Sequence, residues 1–131
     1  MRYDAVMMIL LVIVAASILA SFTDWLFMDA LVHRFYASEP GVWRARGGVA
    51  RIVGSQAIGT VATAALVLLC MWAPGRALGV AVVAWVAGPL PVTLQNLQWM
   101  RLHPVVAASH AAGWLVRFLI AGLLAAWLLP H

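Results

Sequence analysis

Four apolar runs, each long enough to cross a lipid bilayer, dominate this chain. A spanning helix needs about 20 mostly apolar residues. Runs at about 5–30, 49–72, 77–98 and 104–129 reach that length within 131 residues. Water cannot accommodate them. The chain is 66% hydrophobic and 9% charged, where a soluble domain is about 45–50% apolar and about 25% charged. A soluble domain of this size still exposes roughly a third of the surface its unfolded chain presents. A water-soluble enzyme and a disordered chain are both excluded. The sequence predicts an all-α membrane protein, one domain over 1–131, with four transmembrane helices in an antiparallel bundle.

The connections refine this picture. A polar loop at about 34–48 holds Ser38-Glu39-Pro40-Gly41 and then Trp43 beside Arg44 and Arg46, a pairing typical of an interfacial anchor. The other two connections are short, so successive helices are antiparallel neighbours. Pro74-Gly75 ends the second run, and Pro104 suits the first turn of the fourth. Gly88-Pro89-Leu90-Pro91 interrupts the third. Proline removes a backbone donor and clashes with the preceding turn, which predicts a helix kinked at Pro89/Pro91.

The charge balance is basic, net +4, and every positive residue is Arg. Most of these Arg residues sit between apolar runs, and they form no face that could follow phosphates, so nucleic acid is not an expected partner. They set orientation instead. Arg34, Arg44, Arg46, Arg51 and Arg101 lie on one side of the bundle, Arg2 and Arg76 on the other. The positive-inside rule then puts both termini on the non-cytoplasmic side of a bacterial inner membrane. The first run begins like a signal peptide, with Arg2 and small residues near Ala20-Ser21, but it is too long for a signal h-region and reads as a retained helix.

The polar residues within the runs gather at one depth. Asp24, Asp29 and His33 fall near the cytoplasmic end of the first helix and Ser55 and Gln56 near that end of the second. Thr93, Gln95, Asn96 and Gln98 fall near that end of the third, and His103 and His110 near that end of the fourth, with Arg117 deeper. The other half is almost wholly apolar. This predicts one polar vestibule open to the cytoplasmic interface, lined by Asp24, Gln56, Asn96, His110, Trp114 and Arg117. At about 100° per residue, His103, His110, Trp114 and Arg117 share one face of the fourth helix. That face must turn inward, because a mid-membrane Arg costs at least ~2.5–3.5 kcal/mol. Helix rise puts Arg117 and Asp24 within reach of one another, which predicts an ion pair between them. Asp24 shares its face with Ser17, Ser21 and Met28, whose small serines would let the fourth helix approach closely.

Asp29 and His33 form a second unit at i, i+4, turned away from Asp24. The plainer reading is an interfacial pair closing the helix end. A proton relay or a metal site with His110 as third ligand is the alternative, but two ligands alone do not make a metal site. His33 and His110 are also the only two histidines at similar depth on different helices that could ligate a haem, a weaker reading still; the cofactor stays open. Ser55-x-x-x-Gly59 and Gly59-x-x-x-Thr63 mark close helix packing. Trp43, Trp72, Trp99 and Trp127 read as interfacial anchors, and Trp25, Trp85 and Trp114 as interior.

No phosphate loop, dinucleotide fingerprint, zinc motif or nucleophile elbow occurs. The lone Cys70 excludes a disulfide framework and a thiolate cluster. No catalytic residue is assigned. Trp25-Leu-Phe-Met through Phe35-Tyr36 to Trp43, Trp85-x-x-Gly88-Pro89 to Asn96, and His110-x-x-x-Trp114 together resemble an uncharacterised family of small bacterial four-helix membrane proteins, a domain of unknown function. The resemblance implies four spans and carries over no site residues. Three function classes follow from the residues: a non-enzymatic protein that binds or conducts a small ligand or ion through the vestibule, an accessory subunit of a larger membrane complex, and a membrane enzyme acting on a lipid or quinone. Expected partners are membrane lipids and either a second copy or another membrane protein, because four helices with small-residue faces enclose little interior.

Overall fold

A computed structural model describes residues 3–37, 48–73, 75–100 and 102–129. The side chains of Met28, Asp29, Leu31, Tyr36 and Ala37, the loop residues 38–47 with Trp43, and Pro74 lie outside this described set. Helix α1 spans Tyr3–Trp25 and passes into a π-helical turn, Leu26–Leu31, before α2 at His33–Ala37. Helix α3 spans Val49–Trp72, α4 Ala77–Ala87, α5 Pro89–Trp99 and α6 Pro104–Leu128. Taking α4 and α5 together, four helical segments are long and apolar enough to cross a membrane. The protein is an all-α membrane protein.

The third span breaks at Gly88. That residue leaves helical geometry at φ −117°, ψ −88°, and its N–H still bonds the Ala84 carbonyl at 3.0 Å. Pro89 and Pro91 both fall in the first turn of α5, where a missing N–H removes no intrahelical bond. The helix thus resumes at the prolines after bending at the glycine just before them. Thr93 closes the turn by donating to the Pro89 carbonyl at 2.7 Å. After α3, Gly75 takes φ +77°, a left-handed turn that glycine adopts without steric cost.

The first span departs from a regular helix. Its α-helical stretch ends at Trp25, and the wider π turn follows. Val32, at φ −115°, ψ −8°, closes that turn, and His33 opens a new helix. Asp29 and His33 therefore do not lie on one continuous α-helix, and the Asp29 side chain, with the pairing expected for it, lies outside the described residues. His33 is exposed.

Helix α6 is the hub and touches α1, α3, α4 and α5. The half of the bundle nearer the chain termini is a dry core of Ile9, Val12, Ala16, Leu66, Val67, Cys70, Ala77, Ala81, Phe118, Ala121 and Ala125. In lipid, helices gain little from burying apolar surface against one another. Association rests on close packing, which small residues permit. At Gly122 an added Cβ would lie 3.1 Å from the Ala77 carbonyl and 3.2 Å from the Ala81 Cβ, so that glycine sets the approach of α4 to α6. Outward-facing Leu, Val, Ile and Met meet the lipid. Tyr3, Trp72 and Trp127 stand exposed at helix ends on one side of the bundle, and Trp99 on the other, as aromatic belts do. Trp25, expected inside, is exposed and packs against Phe22.

Candidate functional site

Arg117 organises the polar half. It lies about 20 Å along α6 from its first residue at a rise of ~1.5 Å per residue, and its side chain is only 4% exposed. Its Nη2 donates to Asp24 Oδ2 in an ion pair. Its Nη1 donates to Thr63 Oγ1 at 3.2 Å, and Thr63 in turn donates to the Gly59 carbonyl at 2.9 Å. The guanidinium also lies 5.5 Å from the Trp114 ring, within cation–π range. A buried charge is tolerated only when paired and hydrogen-bonded, and these contacts meet that demand. Sequence depth located the Asp24–Arg117 pair.

The seat on α3 was not anticipated. An added Cβ on Gly59 would stand 2.7–2.8 Å from the guanidinium atoms. The Gly59-x-x-x-Thr63 spacing therefore makes room for an arginine head and supplies its acceptor, where a helix–helix contact was expected. The signal available in the sequence was the depth of Gly59 and Thr63, which matches that of Arg117 across the bundle.

Above the pair opens a cleft of about 580 Å³ between the first span, α3 and α6. Asp24 and Phe27 form one wall, Arg51, Gly54, Ser55 and Gly59 the second, and Ser109, His110, Gly113, Trp114 and Arg117 the third. The Asp24 side chain is 33% exposed, so its carboxylate faces the cleft while paired. The Ser109 hydroxyl donates to the Phe27 carbonyl at 3.3 Å, tying α6 to the π turn. Wide turns of this kind recur at functional sites.

A second cleft of about 390 Å³ lies between α5 and α6. It holds Gly88, Pro89, Val92, Thr93, Asn96, Met100 and Leu102, and shares His110 and Trp114 with the first. Among the described residues, the side chains expected in a single vestibule divide between these two clefts, with His110 and Trp114 lining both. Asp24, Arg117, His110 and Trp114 meet in the first; Asn96 belongs to the second. Gln56 lines neither and accepts a hydrogen bond from the Ser21 hydroxyl, which also lies 2.8 Å from the Ser17 carbonyl. Ser21 therefore reaches α3.

His103 also leaves the stripe assigned to it. It is the N-cap of α6, where its Nδ1 accepts from the Val105 N–H at 3.2 Å, and its ring stacks on Phe35 at 4.9 Å. Trp85 is half-buried, and its indole N–H donates to the Ala111 carbonyl at 2.8 Å. Among the described residues no three His, Cys, Asp or Glu side chains group as a metal site would require. The Asp29 side chain is outside that set.

Fold and site together define a small multi-pass membrane protein with a buried ion pair flooring a polar cleft. No protein-family model matches the chain, and no curated protein or solved structure matches it.

Proposed function

We propose that this is a non-enzymatic integral membrane protein that binds a small ligand in the cleft between the first span, α3 and α6. The observation that carries the reading is a buried Arg117, paired to Asp24, at the floor of a cleft large enough for a ligand. Ionisable groups inside a bundle that face a cavity are the usual mark of a ligand or ion site, and about 300–1,000 Å³ is the ordinary size of such sites. Binding is favoured over conduction. Beyond Arg117 any path toward the far interface meets Val12, Leu66, Val67 and Ala121, all at 0–2% exposure.

The Arg asymmetry supports an orientation in which the cleft opens toward the cytoplasm, with both termini on the non-cytoplasmic side of a bacterial inner membrane. A homo-oligomer in that membrane fits the small enclosed interior.

Native mass spectrometry of protein extracted from its own membrane tests the reading against a Gly54→Leu variant. Gly54 lines the cleft, and its Cβ position meets nothing within 4 Å, so leucine fills the cleft without a clash. A small extra mass on the wild type that Gly54→Leu loses is expected. A second polypeptide at fixed stoichiometry with no small mass would replace the reading with an accessory-subunit role. A bound mass indifferent to Gly54→Leu would also contradict it.

A further inference from the structure

We propose that the second cleft, between α5 and α6, is a separate site for the ring of a membrane-dissolved quinone. This inference does not rest on the first cleft holding a ligand. The two clefts differ in charge. The first holds Asp24, Arg51 and Arg117. Among the described residues, no Asp, Glu, Lys or Arg lines the second. An anionic or cationic headgroup moved into such a lining would lose its hydration with no countercharge, which is costly. The described lining therefore suits a neutral occupant.

The lining then selects among neutral groups. Asn96 is the chief polar side chain besides His110, because the Thr93 hydroxyl is engaged with the Pro89 carbonyl. A carboxamide offers one donor group and one acceptor. It can donate to a ring carbonyl or accept from a ring hydroxyl, so both the oxidised and the reduced ring satisfy it. A sugar headgroup would need many more partners than this cleft offers. The remaining walls are flat or soft: the Trp114 indole, the Pro89 ring and the Met100 thioether. Aromatic faces stack on planar rings, and methionine sulfur packs well against them.

The bend at Gly88 creates the space. It separates α5 from the line of α4 without losing contact with α6. Val92 at the cleft is more than half exposed, on the surface of a span whose outward side chains meet lipid, so the cleft communicates with the bilayer from which a quinone partitions.

The test uses a short-chain ubiquinone analogue and the full-length protein in lipid nanodiscs, read by quenching of tryptophan fluorescence. Saturable quenching is expected, with Trp114→Phe removing part of its amplitude. Asn96→Leu should weaken binding about 3- to 10-fold, the worth of one net hydrogen bond. Val92→Trp, which fills the cleft mouth, should abolish saturation. Gly54→Leu, in the other cleft, should leave the affinity unchanged. Quenching that rises linearly with quinone, as simple partitioning gives, would overturn the proposal. So would saturable quenching that is the same in wild type, Asn96→Leu and Val92→Trp, or that only Gly54→Leu removes.

Discussion

The two halves of the bundle are held together by different means. The half nearer the chain termini packs Ala, Val, Leu and Gly with no buried ion pair among the described residues, and its tightest point is Gly122 against Ala77 and Ala81. The other half contains Arg117 with Asp24 and Thr63, Ser21 with Gln56, and Ser109 with the Phe27 carbonyl. In lipid the dry half gains stability only through many weak contacts, each replaceable by another apolar shape. The polar half depends on a few contacts whose loss leaves an unpaired group in a low-dielectric interior. The dry half specifies closeness, and the polar half specifies register and leaves room for a ligand.

Substitutions can break this contrast. The largest effect is expected at Asp24→Asn, which strands Arg117 as a buried charge. The loss should be about 3–5 kcal/mol of unfolding free energy, read by denaturant titration in detergent. Gly59→Ala should follow at about 1–3 kcal/mol. Its Cβ needs the space of a guanidinium that Asp24 and Thr63 hold in place, so the protein should also lose stability to heating. Leu66→Ala in the dry half should cost less than the ~2–5 kcal/mol seen for such cavities in soluble cores, because lipid-exposed unfolded helices forfeit little apolar burial. A loss at Leu66 equal to that at Asp24 would erase the distinction between the halves. Gly54→Ala sharpens the comparison from the other side. It faces open space, and alanine favours the helix by ~0.5–1 kcal/mol, so melting should stay the same or rise slightly.

The spans were legible in the sequence because run length and hydropathy are properties of a segment alone. The Asp24–Arg117 pair was legible for a related reason: depth in a membrane helix follows from counting residues. What depended on rotation between helices was not. Whether Asn96 and Asp24 share a cavity turns on where the His110 and Trp114 side chains stand, and residue counts carry no such information. Gln56 was placed in the vestibule by depth, yet its rotation on α3 turns it to Ser21. The π turn at Leu26–Leu31 has no local composition signal, and it interrupts the single regular helix on which the Asp29–His33 spacing was counted. Gly59 was read only as a close-packing residue, because a small residue four apart from another admits either a helix backbone or a large polar head. Only the presence of Arg117 at the same depth distinguishes the two.

The central claim is that Arg117 is held by Asp24 as one unit at the cleft floor. A double-mutant cycle tests it most directly, with unfolding free energies measured for Asp24→Asn, Arg117→Met and the double variant in one detergent. Replacing both charged partners of a buried pair is far milder than removing one. The account predicts that the double variant is more stable than Asp24→Asn alone, with a coupling of roughly 2 kcal/mol or more between the sites, within the range seen for contacting residues. Additive losses, with coupling indistinguishable from zero, would contradict it.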